Sequence, residues 1–158
     1  AEEKPRKVSP LLLKEYRNRW YLISFDAKQK EIRTYALDRM DTPKILEEET
    51  HYPGDFDAEN YFKHSMGITS YKGKSSKIIL KANTIAARYI SSQPIHESQE
   101  IEEETKEFTL FVLTLLISEE LIRTILSYGG EIEIVEPLEL RKVIQERISG
   151  MNKLYKVN

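Results

Sequence analysis

The chain has no cysteine among its 158 residues. A disulfide framework and a zinc–thiolate site are therefore both excluded. Its three histidines, His51, His64 and His96, are scattered and lack the spacing of metal ligands. Glycine is sparse as well. Gly54, Gly67, Gly73 and Gly150 stand alone, so there is no glycine-rich loop to cradle a phosphate. No apolar run is long enough to span a bilayer. The longest, Phe108 to Ile117, is interrupted by threonines and reads as a buried strand. The opening residues, Ala1-Glu2-Glu3-Lys4-Pro5, are polar and do not read as a signal peptide. Glu47-Glu48-Glu49 and Glu102-Glu103-Glu104 read as solvated edges rather than acid–base pairs. Nothing serves as an activated nucleophile or a metal set, so an enzyme is the weakest class and no cofactor is expected. This composition fits a cytoplasmic protein without a membrane partner.

What is present is unevenly charged. The formal net charge is only −2, yet residues 4–44 hold eleven Lys or Arg against five acids, and residues 97–139 hold two against twelve. The split suggests a basic module followed by an acidic one. Balance between two faces of one molecule is the plain alternative.

The basic part contains two dense blocks. Trp20-Tyr21-Leu22 lies within a run from Leu11 to Phe25, and Arg33-Thr34-Tyr35-Ala36-Leu37-Asp38-Arg39-Met40 follows. Both are rich in aromatic, aliphatic and β-branched residues and read as strand. Arginines interrupt both. Strand alternation would put Arg33, Tyr35, Leu37 and Arg39 on one face, and Tyr21 with Phe25 on one face of the neighbouring strand. Two guanidinium groups beside a phenol suit an anion that carries flat rings, such as a nucleotide. The plain alternative is solvated charge, or pairing of Arg33 and Arg39 with Asp38 or Asp26. Trp20 is read as a packing residue, while Tyr21 is free to present its ring or hydroxyl. Arg17 and Arg19, at a turn, would add phosphate contacts or simply be solvated.

These residues also carry a resemblance. Trp20-Tyr21-Leu22, Leu37-Asp38-Arg39-Met40, and the run through Phe56, Asp57, Tyr61, Phe62, Gly67 and Ile68 resemble the core of a WYL domain, with its C-terminal extension (WCX) following. Met40 departs from the isoleucine of the family pattern. The resemblance implies an Sm-like, SH3-type barrel and a module that senses anionic ligands: nucleotides, other anionic effectors or single-stranded nucleic acid. It also implies a homodimer. In the family this module follows an N-terminal DNA-binding domain, usually a winged helix-turn-helix. Nothing like that domain is visible here, so the chain is expected to be part of a longer bacterial transcriptional regulator that contacts DNA through it. Two rival readings remain: a nucleic-acid-binding accessory module without a sensing role, and a purely structural dimerisation domain.

The expected organisation is α+β. Residues 1–9 read as linker, 10–71 as the barrel and 77–158 as the extension, with the polar run Lys72–Ser76 between them. The barrel strands are expected at Leu11–Tyr16, Trp20–Phe25, Glu31–Leu37 and about Met40–Glu47, the last placed at an edge by Pro43. His51–Gly54 is loop. Asp57 should cap a helix over Ala58–Ser65, with Phe56 stapled onto Tyr61, and Ile68–Tyr71 should return as a strand that closes the barrel. The second half reads β-α-β-β-α-β, the ferredoxin-like order. Its strands are expected at Ile78–Leu80, His96–Glu103, Phe108–Ile117 and Glu131–Val135. One helix spans Ile85–Ile90, and a second is capped by Ser118 and stopped by Gly129-Gly130. A last helix from Leu138 to Tyr155 carries Leu140, Val143, Ile144, Ile148, Met151, Leu154 and Tyr155 on one stripe, for core or dimer contact.

Overall fold

The computed structural model describes residues 5–50, 52–70 and 74–155. The expected tail at residues 1–4, the loop residue His51, the strand end at Tyr71 and the start of the linker at Lys72 and Gly73 lie outside these. The fold is α+β with two antiparallel sheets. Compactness divides the chain into two units, Ala1–Lys63 and His64–Asn158.

The first unit holds a three-stranded meander of β1 (Ser9–Tyr16), β2 (Arg19–Asp26) and β3 (Glu31–Ala36), in the order β1-β2-β3. Arg17 and Asn18 join β1 to β2, both in the left-handed region with φ of 51° and 61°. Positive φ at both central residues is what a two-residue hairpin turn requires if it is to match the twist of its strands. The turn sets Tyr16 opposite Arg19, Glu15 opposite Trp20 and Lys14 opposite Tyr21. On the other side, Tyr21 pairs with Ala36, Leu22 with Tyr35 and Ser24 with Arg33. After β3 the chain makes a 3-10 turn, Leu37–Arg39, and later a one-turn helix α1 (Ala58–Phe62). Asp57 caps α1 by accepting the Glu59 N–H at 3.0 Å, and the Phe56 and Tyr61 rings meet at 5.5 Å, so the expected staple forms.

The described residues close no barrel. The fourth strand expected over Met40–Glu47 is irregular, since Thr42 takes a φ of 45° and Pro43 has no N–H to give a ladder. The expected closing strand does not form either. Ile68–Ser70 make no strand, and their segment belongs to the second unit. There the His64 carbonyl accepts the Leu116 N–H at 2.8 Å and the Thr69 hydroxyl donates to Glu120 at 2.7 Å. Trp20 departs as well: it is 53% exposed, whereas Ile23 is fully buried.

The second unit runs β4 (Ser76–Asn83), α2 (Thr84–Ser92), β5 (Glu100–Glu104), β6 (Phe108–Leu115), α3 (Glu119–Ser127), β7 (Ile132–Glu136) and α4 (Leu138–Leu154). Its sheet order is β5-β6-β4-β7, antiparallel throughout. Ile78, Leu80 and Ala82 on β4 and Phe111, Leu113 and Leu115 on β6 point to one face by strand alternation. Ala86, Ala87 and Ile90 of α2 and Leu121, Ile122 and Ile125 of α3 pack onto that face. Asn83 caps α2 by accepting the Ile85 and Ala86 N–H groups, and Ser118 caps α3 by accepting the Leu121 N–H. The strand expected from His96 begins only at Glu100, because Ser98 replaces it. The Ser98 hydroxyl accepts the Thr114 N–H at 3.0 Å, so a side chain occupies the place of a ladder bond. The α4 stripe splits. Leu140 is buried and Val143 and Ile144 lean on the core, but Ile148, Met151, Leu154 and Tyr155 are exposed.

Candidate functional site

The register divides the six residues that sequence reasoning nominated. In an antiparallel pair, directly opposed residues project from the same face. Tyr21 therefore shares a face with Lys14, and Arg19 shares it with Tyr16. Arg33 and Tyr35 lie on the other face, with Ser24 and Leu22. Tyr21 does not join them. Nor does Arg39 continue their row, because β3 ends at Ala36 and Arg39 sits in the following 3-10 turn.

What the structure does bring together is the hairpin end of the sheet. Arg17, at the turn, lies 5.4 Å over the Tyr16 ring, and Lys14 lies 4.5 Å over the Phe62 ring. Arg19 extends beside them, with its Nε 3.8 Å from an Asp38 carboxylate oxygen. The Leu37–Arg39 turn lies against β2, which brings the backbone of Arg39 near the same end. No ion pair or hydrogen bond of its side chain occurs among the described residues. Glu15 is the other acid here, and it accepts the Asn18 N–H at 2.6 Å. The result is four cations, Lys14, Arg17, Arg19 and Arg39, among the rings of Tyr16 and Tyr21, against two acids. Flat rings between guanidinium and ammonium groups are what stacks a base while neutralising its phosphate.

Arg33 is differently placed. Its Nε donates to Glu31 at 2.6 Å and a second guanidinium nitrogen bonds the same carboxylate oxygen. That carboxylate holds the Arg33 pKa above its ordinary value, against the opposing effect of burial. Arg33 is thus paired with Glu31 of its own strand, and not with Asp38 or Asp26. The Tyr35 hydroxyl is buried and makes no hydrogen bond of normal geometry among the described residues, although it lies near enough to Arg33 to favour its charge.

Sequence reasoning missed Lys14 and Tyr16. The signal was available: a two-residue turn at Arg17-Asn18 forces Tyr16 opposite Arg19 and Lys14 opposite Tyr21, whatever the rest of the sheet does. Among the described residues, no cluster of three or more His, Asp or Glu is arranged to hold a metal ion.

A model of the WYL domain matches residues 1–45, and a model of the WCX domain matches residues 77–151. The chain carries a WYL domain followed by a WCX domain. The hairpin site lies entirely within the WYL match, and β4 to β7 fall within or at the margin of the WCX match. Among solved structures, proteasome accessory factor B/C (PafBC) of Arthrobacter aurescens aligns with 99% of this chain at 20% identity and a TM-score of 0.42. A likeness that loose carries no argument about geometry. The alignment spans 24% of the PafBC chain. No curated protein matches.

Proposed function

We propose that the chain is the ligand-sensing regulatory module of a bacterial transcriptional regulator, and that the hairpin end of the WYL sheet binds its effector. The effector is an anion with flat rings: a nucleotide or a short single strand. The observation that carries this reading is the set Lys14, Tyr16, Arg17, Arg19 and Tyr21 on one end of one hairpin. Arg33 and Tyr35 are a secondary contact at most, because Glu31 already occupies Arg33. The extension would serve assembly. Its order β5-β6-β4-β7 with two helices on one face supports the ferredoxin-like reading, and the exposed half of the α4 stripe supports pairing with a second copy. Binding then acts by favouring one arrangement of the dimer, and only to the extent that its affinity differs between arrangements. DNA would be contacted by another part of the longer protein. Residues 72–76 are the expected first site of limited proteolysis, although the compact units divide earlier, after Lys63.

The test is a titration with a labelled nucleotide and with short and long oligonucleotides at one salt concentration. The reading predicts binding that persists for the short ligands, and a tenfold to hundredfold loss for Arg17→Ala or Arg19→Ala, from the roughly 1.5–3 kcal/mol of a hydrogen bond to a charged group. Tyr21→Phe should lose less, since the ring remains. Tight binding of long strands only, falling steeply with salt, would favour the accessory nucleic-acid module instead. No binding at all would favour the structural dimerisation domain.

A further inference from the structure

Two arginines of the WYL sheet are paired with acids, and the pairs differ in kind. Arg33 is gripped by Glu31 through two guanidinium nitrogens, one of them at 2.6 Å. Arg19 meets Asp38 only at 3.8 Å, beyond hydrogen-bond distance, with side chains 55% and 51% exposed. Such a pair is weak and water-screened. It leaves most of the guanidinium fork unused, and that fork is the part which binds phosphate in two parallel hydrogen bonds. Asp38 reaches Arg19 from a separate element, the Leu37–Arg39 turn, so it can withdraw without disturbing a strand.

We propose that Asp38 is an internal competitor for the effector at Arg19. Its carboxylate occupies the guanidinium in the empty site and is displaced by the phosphate of the ligand. This rests on the hairpin reading above and adds a selectivity rule. An incoming anion must displace a carboxylate and then tolerate its negative charge nearby. Carboxylate and phosphate both match the guanidinium fork, so a simple carboxylate gains at Arg19 no more than it displaces, whereas a phosphate ligand with further anionic oxygens also meets Lys14 and Arg17. The opposite role, Asp38 holding Arg19 in its binding pose, predicts the opposite sign.

The experiment uses a fluorescein-labelled thymidine hexanucleotide, titrated into the 158-residue chain, Asp38→Asn, Asp38→Ser, Arg19→Ala and the Asp38→Asn/Arg19→Ala double variant. Circular dichroism confirms the fold of each. Asp38→Asn and Asp38→Ser should bind about threefold tighter or better at low salt, and the gain should shrink as salt screens the exposed pair. In the Arg19→Ala background most of that gain should vanish, because Asp38 acts through Arg19. If Arg19→Ala weakens binding but neither Asp38 variant tightens it, the competitor role is overturned and the hairpin site stands. If the unsubstituted chain does not bind, or binds as Arg19→Ala does, the site reading falls and this inference with it.

Discussion

The two sheets of this chain are built on opposite principles. The WCX sheet buries fourteen hydrophobic residues in one cluster with its helices. Among the described residues of the WYL unit, Ile23 is the single hydrophobic side chain buried to that degree, alongside the polar Ser9, Ser24 and Asp26. One sheet commits its side chains to a core and the other to its surface. Trp20, Leu13 and Leu37 remain exposed in the WYL unit, as do Arg17, Arg19 and Arg39 of the hairpin end, while Lys14 is half-buried. A sheet with little core is held by its ladders and turns. The same arrangement leaves its side chains available for a ligand, which fits the general placement of binding residues on less stable elements.

Phe111→Ala empties the centre of the WCX cluster and should cost about 3–5 kcal/mol, seen as a lower urea midpoint. Its effect on hydrogen exchange should be confined to the second unit, with β1 to β3 exchanging as before. Loss of protection in both units together would show that they fold as one. Next comes Asn83→Ala. Asn83 accepts two N–H groups at the start of α2, so its loss should cost about 1 kcal/mol, measured in the same unfolding experiment. The WYL unit offers no cap on a helix of that length among its described residues, and substitutions of exposed residues there should leave the midpoint almost unchanged.

A smaller effect is set by pH. Burial lowers the His96 pKa; Glu97 opposes this and the nearby His64 adds to it. The His96 Nδ1 accepts the Ser98 N–H at 3.1 Å, which requires that nitrogen to be unprotonated. The unfolded chain, with an ordinary histidine pKa of about 6.5, then binds more protons than the folded one. Stability of the WCX unit should be complete above that value and fall as pH drops towards the lowered folded pKa. His96→Gln should flatten the profile of melting temperature between about pH 7 and 5. An unchanged slope would assign the acid sensitivity elsewhere.

Legibility in the sequence follows the same division. The WCX elements could be read because a buried core imposes strong periodicity: Leu121, Ile122, Ile125 and Leu126 on α3, and alternation on β6. Their ends moved where side chains took over backbone roles, at Asn83 and Ser98. In the WYL unit the first three strands were legible from turn chemistry. The barrel was not, because Pro43 argued only for an edge, and nothing local in Ile68–Ser70 revealed that this segment attaches to the second unit. The candidate site was legible as a composition, arginines among aromatics, but not as a place. Alternation along β3 stops at Ala36, where the strand ends, short of Arg39. The turn at residues 27–30 carries the register that separates Tyr21 from Arg33, and the Arg17-Asn18 turn carries the one that sets Lys14 opposite Tyr21.

The proposed effector site is the hairpin end of the WYL sheet and not the Arg33 face. The direct measurement is amide chemical-shift mapping of the labelled chain during titration with a short single-stranded oligonucleotide. The largest shifts are expected to cluster at Lys14–Tyr21 and Leu37–Arg39, while Glu31–Tyr35 and the strands of the WCX sheet move little. Shifts centred on Ser24, Arg33 and Tyr35 would contradict it.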